Sequence, residues 1–168
     1  MIHAVNTQFI KMLKNLSQIL GKANAYAEAK KFDPVNLLSA RLAPDQFDFT
    51  RQVQITCDTA KSCADKLTDK SAPKHEDNET TFAQLQDRIG QTVSYLESIG
   101  KDDWKGWETR KTTNPRREGK FLAGDEYAMQ HSLPNFYFHL TTTYAILRHN
   151  GLDIGKKDYL GAMNWQPL

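Results

Sequence analysis

Three polar side chains in the last quarter of the chain have the types and spacing that a metal site uses. His131, Asn135 and His139 stand four residues apart. Eight residues of unbroken helix change direction by only about 80°, so all three would share one face. A His and a second ligand one helical turn apart can hold a divalent ion such as zinc or nickel. These three residues are therefore candidate metal ligands.

Two features of the same segment favour a different interpretation. An Asn amide is a weak ligand for zinc or nickel. Pro134 fits poorly inside a helix, so it predicts a kink or a fresh helix start that turns His131 away. The alternative is a polar cluster between helices, in which His139 donates a hydrogen bond to a neighbouring oxygen.

A second group of candidates lies on an earlier helix. Gln54 and Asp58 are one turn apart there, close to Gln52. If this helix faces the last one, Gln54 or Asp58 completes a metal site with Asn135 and His139. Otherwise they are surface or hydrogen-bonding groups.

Four long helical patterns must position these residues. Apolar side chains recur in steps of three and four over residues 5–29, 43–67, 82–99 and, after a start near residue 125 or 132, up to 149. A capping box at Thr81 opens the third helix, and Gly100 and Gly151 are stop signals for the third and the last. No run alternates as a strand does. The pattern predicts an all-α, four-helix bundle in one domain, residues 1–168.

The segment 101–124 between the third and fourth helices lacks helical periodicity, and we expect a long loop. It contains Trp104, Trp107 and a basic run. The tryptophans indicate that part of it is buried. The sequence is compatible with a lid, a short hairpin, a dimer contact or a packed surface excursion. The tail, residues 152–168, is expected to lie against the bundle. Asp33 and Pro34 have the types of an N-cap and a first helical residue, so residues 33–41 are expected to be a connector that contains a short helical turn.

Composition excludes several classes of partner. The net charge is +2, which is too small to favour nucleic acid, a membrane or an acidic substrate. Cys57 and Cys63 are expected to be buried and reduced, as in a cytoplasmic protein. The sequence contains no signal peptide pattern, no transmembrane run, no phosphate-binding glycine loop, and no H-E-x-x-H or E-x-x-H motif.

The aromatic run Phe136-Tyr137-Phe138 spreads around its helix, because neighbouring residues do not share a face. A helix that is apolar on several sides is buried on several sides. We therefore expect this helix to be central or to meet a second subunit, and a homodimer is predicted.

Several strings resemble an uncharacterised bacterial family that is similar to the DinB/YfiT-like four-helix-bundle metalloenzyme superfamily. The strings are Leu38-Ser-Ala-Arg-Leu-Ala-Pro-Asp45, Phe49-Thr-Arg-Gln-Val-Gln-Ile55, Thr81-Phe-Ala-Gln-Leu-Gln86, Leu133-Pro-Asn-Phe-Tyr-Phe-His-Leu140 and Ile146-Leu-Arg-His-Asn-Gly151. The resemblance covers nearly the whole chain.

The resemblance implies an up-down-down-up bundle, often dimeric, that binds a metal ion through one His of the second helix and an H-x-x-x-H pair on the fourth. His139 falls on the second His of that pair and Asn135 on the first. The second helix, from Pro44 to Asp69, contains no His.

Two functions follow as hypotheses. The first is a non-enzymatic or small-molecule-binding dimer with a degenerate metal site and no cofactor. The alternative is a metal-dependent hydrolase or thiol transferase that uses His139, with zinc or nickel held by Asn135, His139 and Gln54 or Asp58.

Overall fold

Most of the chain is helical in the computed structural model, which describes residues 1–167. The helices are α1 (Ile2–Lys30), α2 (Val35–Leu38), α3 (Phe49–Leu67), α4 (Phe82–Glu97), α5 (Gly124–Glu126), α6 (Leu133–His149) and α7 (Lys156–Leu160), and the strands are β1 (Lys111–Thr113) and β2 (Phe121–Ala123). The four long helices α1, α3, α4 and α6 correspond to the four predicted patterns. Their apolar faces form one buried core.

Side-chain contacts give the direction of each long helix relative to its neighbour. Asn6 of α1 donates to the Leu96 carbonyl at 3.1 Å, and Gln86 of α4 donates to the Ser17 carbonyl at 3.0 Å. The start of α1 thus contacts the end of α4, and a later part of α1 contacts an earlier part of α4. The two helices therefore run antiparallel. In contrast, α3 and α4 run parallel, because Phe49 meets Phe82 and Asp58 meets Arg88.

The second long helix begins later than the sequence indicated. Residues 43–45 lie in a turn, and α3 begins at Phe49 after its N-cap, Asp48. The Asp48 carboxylate accepts a hydrogen bond from the Arg51 backbone N–H at 2.9 Å. The prediction of a start near Pro44 was wrong, because the side-chain cap at Asp48 satisfies one of the free N–H groups and so favours a start at Phe49.

The start of α4 confirms its predicted capping box. The Gln84 backbone N–H donates to the Thr81 hydroxyl at 3.2 Å, and the Gln84 side chain accepts from the Thr81 backbone N–H at 3.1 Å. Two of the free N–H groups at the helix start are thereby satisfied.

The segment between α4 and α6 is more ordered than the predicted long loop. It contains 3₁₀ turns at Lys101–Trp104 and Trp107–Thr109, followed by an antiparallel hairpin of β1 and β2. Trp104 and Trp107 are buried, as predicted. Gly124 directly follows β2 and packs against the Trp107 carbonyl. A Cβ added at Gly124 would lie only 1.7 Å from that carbonyl oxygen. Only glycine permits this approach.

A π-helix at Tyr127–Ser132 connects the hairpin to α6. Pro134 is then in the first turn of α6. Ser132 and Leu133 keep helical backbone angles, so the chain neither breaks nor restarts there. Proline has no backbone N–H, so it cannot donate a helical hydrogen bond in this turn. The helix changes from π to α geometry at this point.

The tail lies against α1 as far as α7. Asn15 donates to the Tyr159 carbonyl at 3.0 Å, and Lys22 pairs with Asp158 at 2.5 Å. Trp165 beyond it is 81% exposed. The last residue of the predicted tail, residue 168, lies outside the described residues. Within residues 1–167, the helices are all too short or too polar to span a bilayer.

Candidate functional site

His139 of α6 and Gln52 of α3 form a buried hydrogen bond between the two helices. The His139 Nδ1 and Gln52 Oε1 atoms are 2.6 Å apart. The Gln52 amide nitrogen donates to the Phe47 carbonyl at 3.1 Å, which fixes the orientation of the amide. Gln52 Oε1 must then accept, so the His139 Nδ1–H donates. The Nε2 atom of a neutral His139 consequently carries a lone pair.

Burial keeps this imidazole uncharged. Only 8% of His139 and 2% of Gln52 are exposed. Desolvation, together with the positive charge of Arg51, lowers the pKa of His139 below its usual value near 6.5. His139 is therefore neutral at neutral pH.

Asn135 makes the next contact along the same helix pair. Its amide nitrogen donates to the Thr59 hydroxyl at 2.8 Å, and that hydroxyl donates to the Ile55 carbonyl at 2.7 Å. Asn135 pairs with a later residue of α3 than His139 does, which means that α3 and α6 run antiparallel. Both predicted residues of α6 therefore contact α3, as hydrogen-bonding groups.

His131 is separated from Asn135 and His139. Its ring stacks on Tyr127 with centroids 5.2 Å apart and planes inclined by 14°. His131 belongs to the π-helix, whose wider turn breaks the assumption of an unbroken α-helix behind the predicted shared face. The cause differs from the predicted one: Ser132 and Leu133 keep helical backbone angles before Pro134, and the π-helix places His131 apart from the other two residues.

Gln54 and Asp58 lie on a different face of α3 and contact a buried arginine network. Arg88 of α4 bonds Asp58, Asp77 and Glu79 at 2.7, 2.7 and 2.8 Å. Gln54 donates to Glu79 at 2.8 Å. We call Arg88, Asp58, Asp77 and Glu79 the Arg88 cluster. It holds Gln54 and Asp58 away from His139, so the predicted four residues do not converge.

Charge pairing overcomes the cost of burial in the Arg88 cluster. Burial would raise the pKa of Glu79, but the hydrogen bonds from Arg88 and Gln54, a backbone hydrogen bond and the charge of Arg88 together outweigh it, and the net pKa is lower than usual. Burial would likewise raise the pKa of Asp77, but the hydrogen bonds and charges of Arg51 and Arg88 lower it. Burial alone would lower the pKa of Arg88, yet its bond to Glu79 and the charge of Asp58 raise it. The cluster thus fastens residues 77–79 onto α3 and α4.

The groups around His139 do not fit a zinc or nickel ion. The neighbouring polar atoms belong to two amides and a hydroxyl, those of Gln52, Asn135 and Thr59. Such groups are weak ligands for these metals. In the described chain, 1–167, no three His, Cys, Asp or Glu side chains come together as metal ligands would.

Both cysteines are buried and unpaired, as predicted. Desolvation raises the pKa of Cys57 to about 12 and that of Cys63 to about 11. A thiol that stays protonated at neutral pH is a poor nucleophile. Neither cysteine is therefore a candidate for covalent chemistry.

A cleft lies between the hairpin and the π-helix, and we call it the hairpin cleft. It has a volume of about 840 Å³. The residues that line it are Lys66, Thr112, Thr113, Asn114, Arg116, Arg117, Lys120, Phe121, Leu122, Tyr127 and His131. This site was missed at the sequence level, although the basic run of residues 110–120 was noted. The lining residues come from α3, the hairpin and the π-helix. Because α3 is far from the other two in the sequence, a search for neighbouring residues could not identify the cleft.

Lys66 connects two sides of the hairpin cleft. Its ammonium group donates to the Thr113 carbonyl at 3.1 Å and lies 5.0 Å from the centre of the Tyr127 ring. This contact is a cation–π interaction. Desolvation and the charge of Lys66 lower the pKa of His131, so the cleft contains a neutral imidazole beside an ammonium group at neutral pH.

The chain belongs to the family described as a domain of unknown function, DUF1993, which it matches over residues 1–160. It is also similar to the crystal structure of a DinB family member protein from Shewanella denitrificans, with 52% identity and a TM-score of 0.93. The match covers 97% of this chain and 93% of the other. No curated protein matches the chain. The predicted membership of an uncharacterised DinB-like family is confirmed.

Replacing His139 should destabilise the fold. His139→Ala removes the donor to Gln52 and leaves a buried amide oxygen without a partner. The free energy of unfolding should fall by about 1–3 kcal/mol in urea denaturation. His149→Ala, at an exposed position of the same helix, is the control and should stay within about 0.5 kcal/mol of wild type. Equal losses in both variants would contradict the role of the bond.

Stability should also decrease on mild acidification. Because the folded-state pKa of His139 is lowered, the unfolded chain binds a proton more readily near pH 6.5. The contribution of the neutral His139 to the free energy of unfolding is fully present above that pH. It is lost as the pH falls toward the folded-state pKa of His139. Urea denaturation between about pH 7.5 and 5.5 should show a shallower pH dependence in His139→Ala than in wild type. Parallel curves would refute the assignment.

Removing the central arginine should have a larger effect. Arg88→Met leaves Asp58, Asp77 and Glu79 without their shared cation. Loss of one partner of a buried ion pair costs about 3–5 kcal/mol, measurable as a shifted denaturation midpoint. Arg116→Met removes an exposed guanidinium and should leave the midpoint nearly unchanged. A small effect of Arg88→Met would mean that the cluster does not hold residues 77–79.

Proposed function

We propose that this chain is a small-molecule-binding domain that functions without a bound metal ion. The observation that carries the proposal is the pair of hydrogen bonds between α3 and α6, His139 with Gln52 and Asn135 with Thr59. They use the two positions where the resemblance places an H-x-x-x-H metal pair. The polar groups of this interface thus bind one another instead of an ion.

The hairpin cleft supports the binding part of the proposal. Its volume of about 840 Å³ lies within the range of roughly 300–1,000 Å³ that is usual for small-molecule sites. Polar groups and aromatic rings line it together, as they do in ligand pockets. His131, a candidate from the sequence, belongs to this cleft.

The proposal includes an up-down-down-up four-helix bundle that forms a homodimer in the cytoplasm. The directions support the topology, since α3 is antiparallel to α6 and parallel to α4, and α4 is antiparallel to α1. The exposure of Phe138 on α6, 56%, supports a second subunit at that helix. The buried, unpaired cysteines agree with a reducing compartment.

A metal-dependent hydrolase or thiol transferase is the second candidate. One observation favours it: the bond from Nδ1–H to Gln52 leaves the Nε2 lone pair of His139 available, as second-shell partners do for metal-bound histidines. The argument against this candidate is that the polar groups around His139 are two amides and a hydroxyl, which are weak metal ligands.

Metal titration distinguishes the two candidates. We expect wild-type protein, titrated calorimetrically with zinc and with nickel, to show no stoichiometric binding at His139. The matched comparison is Gln52→His with Asn135→His, which supplies two further imidazoles beside His139. This double variant should bind zinc at least about tenfold more tightly, because imidazole is a far better ligand than an amide.

Tight zinc binding by wild type that His139→Ala abolishes would overturn the metal-free proposal. A test with His149→Ala excludes binding at an exposed surface histidine. If the double variant gains affinity while wild type stays inert, the amides of Gln52 and Asn135 are the reason that the site rejects the ion.

A further inference from the structure

We propose that the hairpin cleft binds a small organic anion, a carboxylate or phosphate group attached to an aromatic or apolar body. The inference rests on the proposed small-molecule function and names the ligand class. Two properties of the cleft carry it, positive charges without carboxylate partners and exposed apolar side chains in the same cleft.

The positive charge of the cleft is local. The whole chain has a net charge of only +2, yet four cationic side chains line this one cavity. They are Lys66, Arg116, Arg117 and Lys120. Within residues 1–167 none of the four lies within ion-pair distance of a side-chain carboxylate, whereas Arg88, Arg51 and Lys61 all do. Among the residues that the structure describes, those that line the cleft include no Asp or Glu. The charge is therefore available to a ligand.

Guanidinium groups suit carboxylate and phosphate oxygens. Arg116 and Arg117 are exposed at the hairpin tip, and each presents a planar set of N–H donors that matches both oxyanions. Lys66, held from the opposite side by its bond to the Thr113 carbonyl, adds a point charge deeper in the cleft. The Thr112, Thr113 and Asn114 side chains in the wall are neutral and polar.

The body of the ligand has an apolar surface to contact. Phe121 and Leu122 of β2 are 54% and 37% exposed, although they lie in the cleft wall. The stacked rings of Tyr127 and His131 line the other side. An aromatic group between these walls would remove exposed apolar surface from water, which favours binding.

The dimensions favour a small molecule over a polymer. The charge lies on the short hairpin and on Lys66, and it does not continue as a basic stripe along a helix, which is the usual footprint of nucleic-acid binding. The low net charge gives no general attraction to an anionic membrane.

Four matched probes test the inference. They are 1-naphthyl phosphate, 1-naphthoate, the neutral 1-naphthol and inorganic phosphate, each titrated calorimetrically into the full chain. We expect at least one of the two aromatic anions to bind saturably, and 1-naphthol and inorganic phosphate to bind at least about tenfold more weakly, because each lacks one of the two features. Preference for the phosphate or the carboxylate probe identifies the anionic group.

A pair of double variants locates the site. Arg117→Gln with Lys120→Gln removes two charges from the cleft, and Arg41→Gln with Lys14→Gln removes the same charges from exposed positions elsewhere. The first should weaken anion binding at least about tenfold and the second should not. Unchanged thermal melting in both confirms that folding is intact.

Several results would overturn the inference: no saturable binding of either aromatic anion up to about 5 mM, equal affinity for 1-naphthol, or equal losses in both double variants. Displacement of the probe by a short single-stranded oligonucleotide or by anionic vesicles, with tighter binding of either, would show that the ligand is a polymer or a membrane surface and not a small anion.

The titrations are repeated with EDTA and with zinc. Zinc binding at His139 with intact anion binding would refute only the metal-free proposal, and absent anion binding without zinc binding would refute only this inference.

Discussion

The interface between α3 and α6 determines what the rest of the structure can do. Two polar pairs, the buried pair of Gln52 with His139 and the half-buried pair of Thr59 with Asn135, join the antiparallel helices. Buried polar groups must find partners, and here each side chain finds it on the facing helix. The imidazole is therefore oriented and neutral, but it is surrounded by amides and a hydroxyl. Amides and hydroxyls are weak ligands for zinc and nickel, so the residue types at this interface favour hydrogen bonding between the helices.

A second constraint acts on the opposite face of α3. Arg88 is almost fully buried and is neutralised by carboxylates from α3 and from residues 77–79. α3 thus carries one polar face toward α6 and another toward α4, with its apolar residues between them. Gln54 and Asp58 belong to the second face, which explains why residues two and six positions after Gln52 take no part in the His139 contact.

Local signals predicted the local structure well. The capping box at Thr81, the apolar periodicity of α1 and the burial of Trp104 and Trp107 all depend on nearby residues, and all are confirmed. The failures involve features that the local pattern did not signal. The start of α3 is set by the cap at Asp48, which the apolar periodicity did not reveal. The shared face of His131, Asn135 and His139 was lost because the π-helix interrupts the α-helical spacing. The partners of Arg88 lie up to 30 residues away. Arginine is normally a surface residue, so a buried Arg88 could not be expected without those partners.

The hairpin has a consequence for how this family can diversify. Its strands are three residues long and are secured at the base by Gly124, while residues 114–120 at the tip are all exposed. Those tip residues take little part in the core, so substitutions there leave folding largely unaffected. The helical scaffold can consequently be inherited intact while selectivity drifts at the tip. Homologues with the same core but different tips would then be expected to differ in what they recognise, and fold similarity alone would be a poor guide to their ligands.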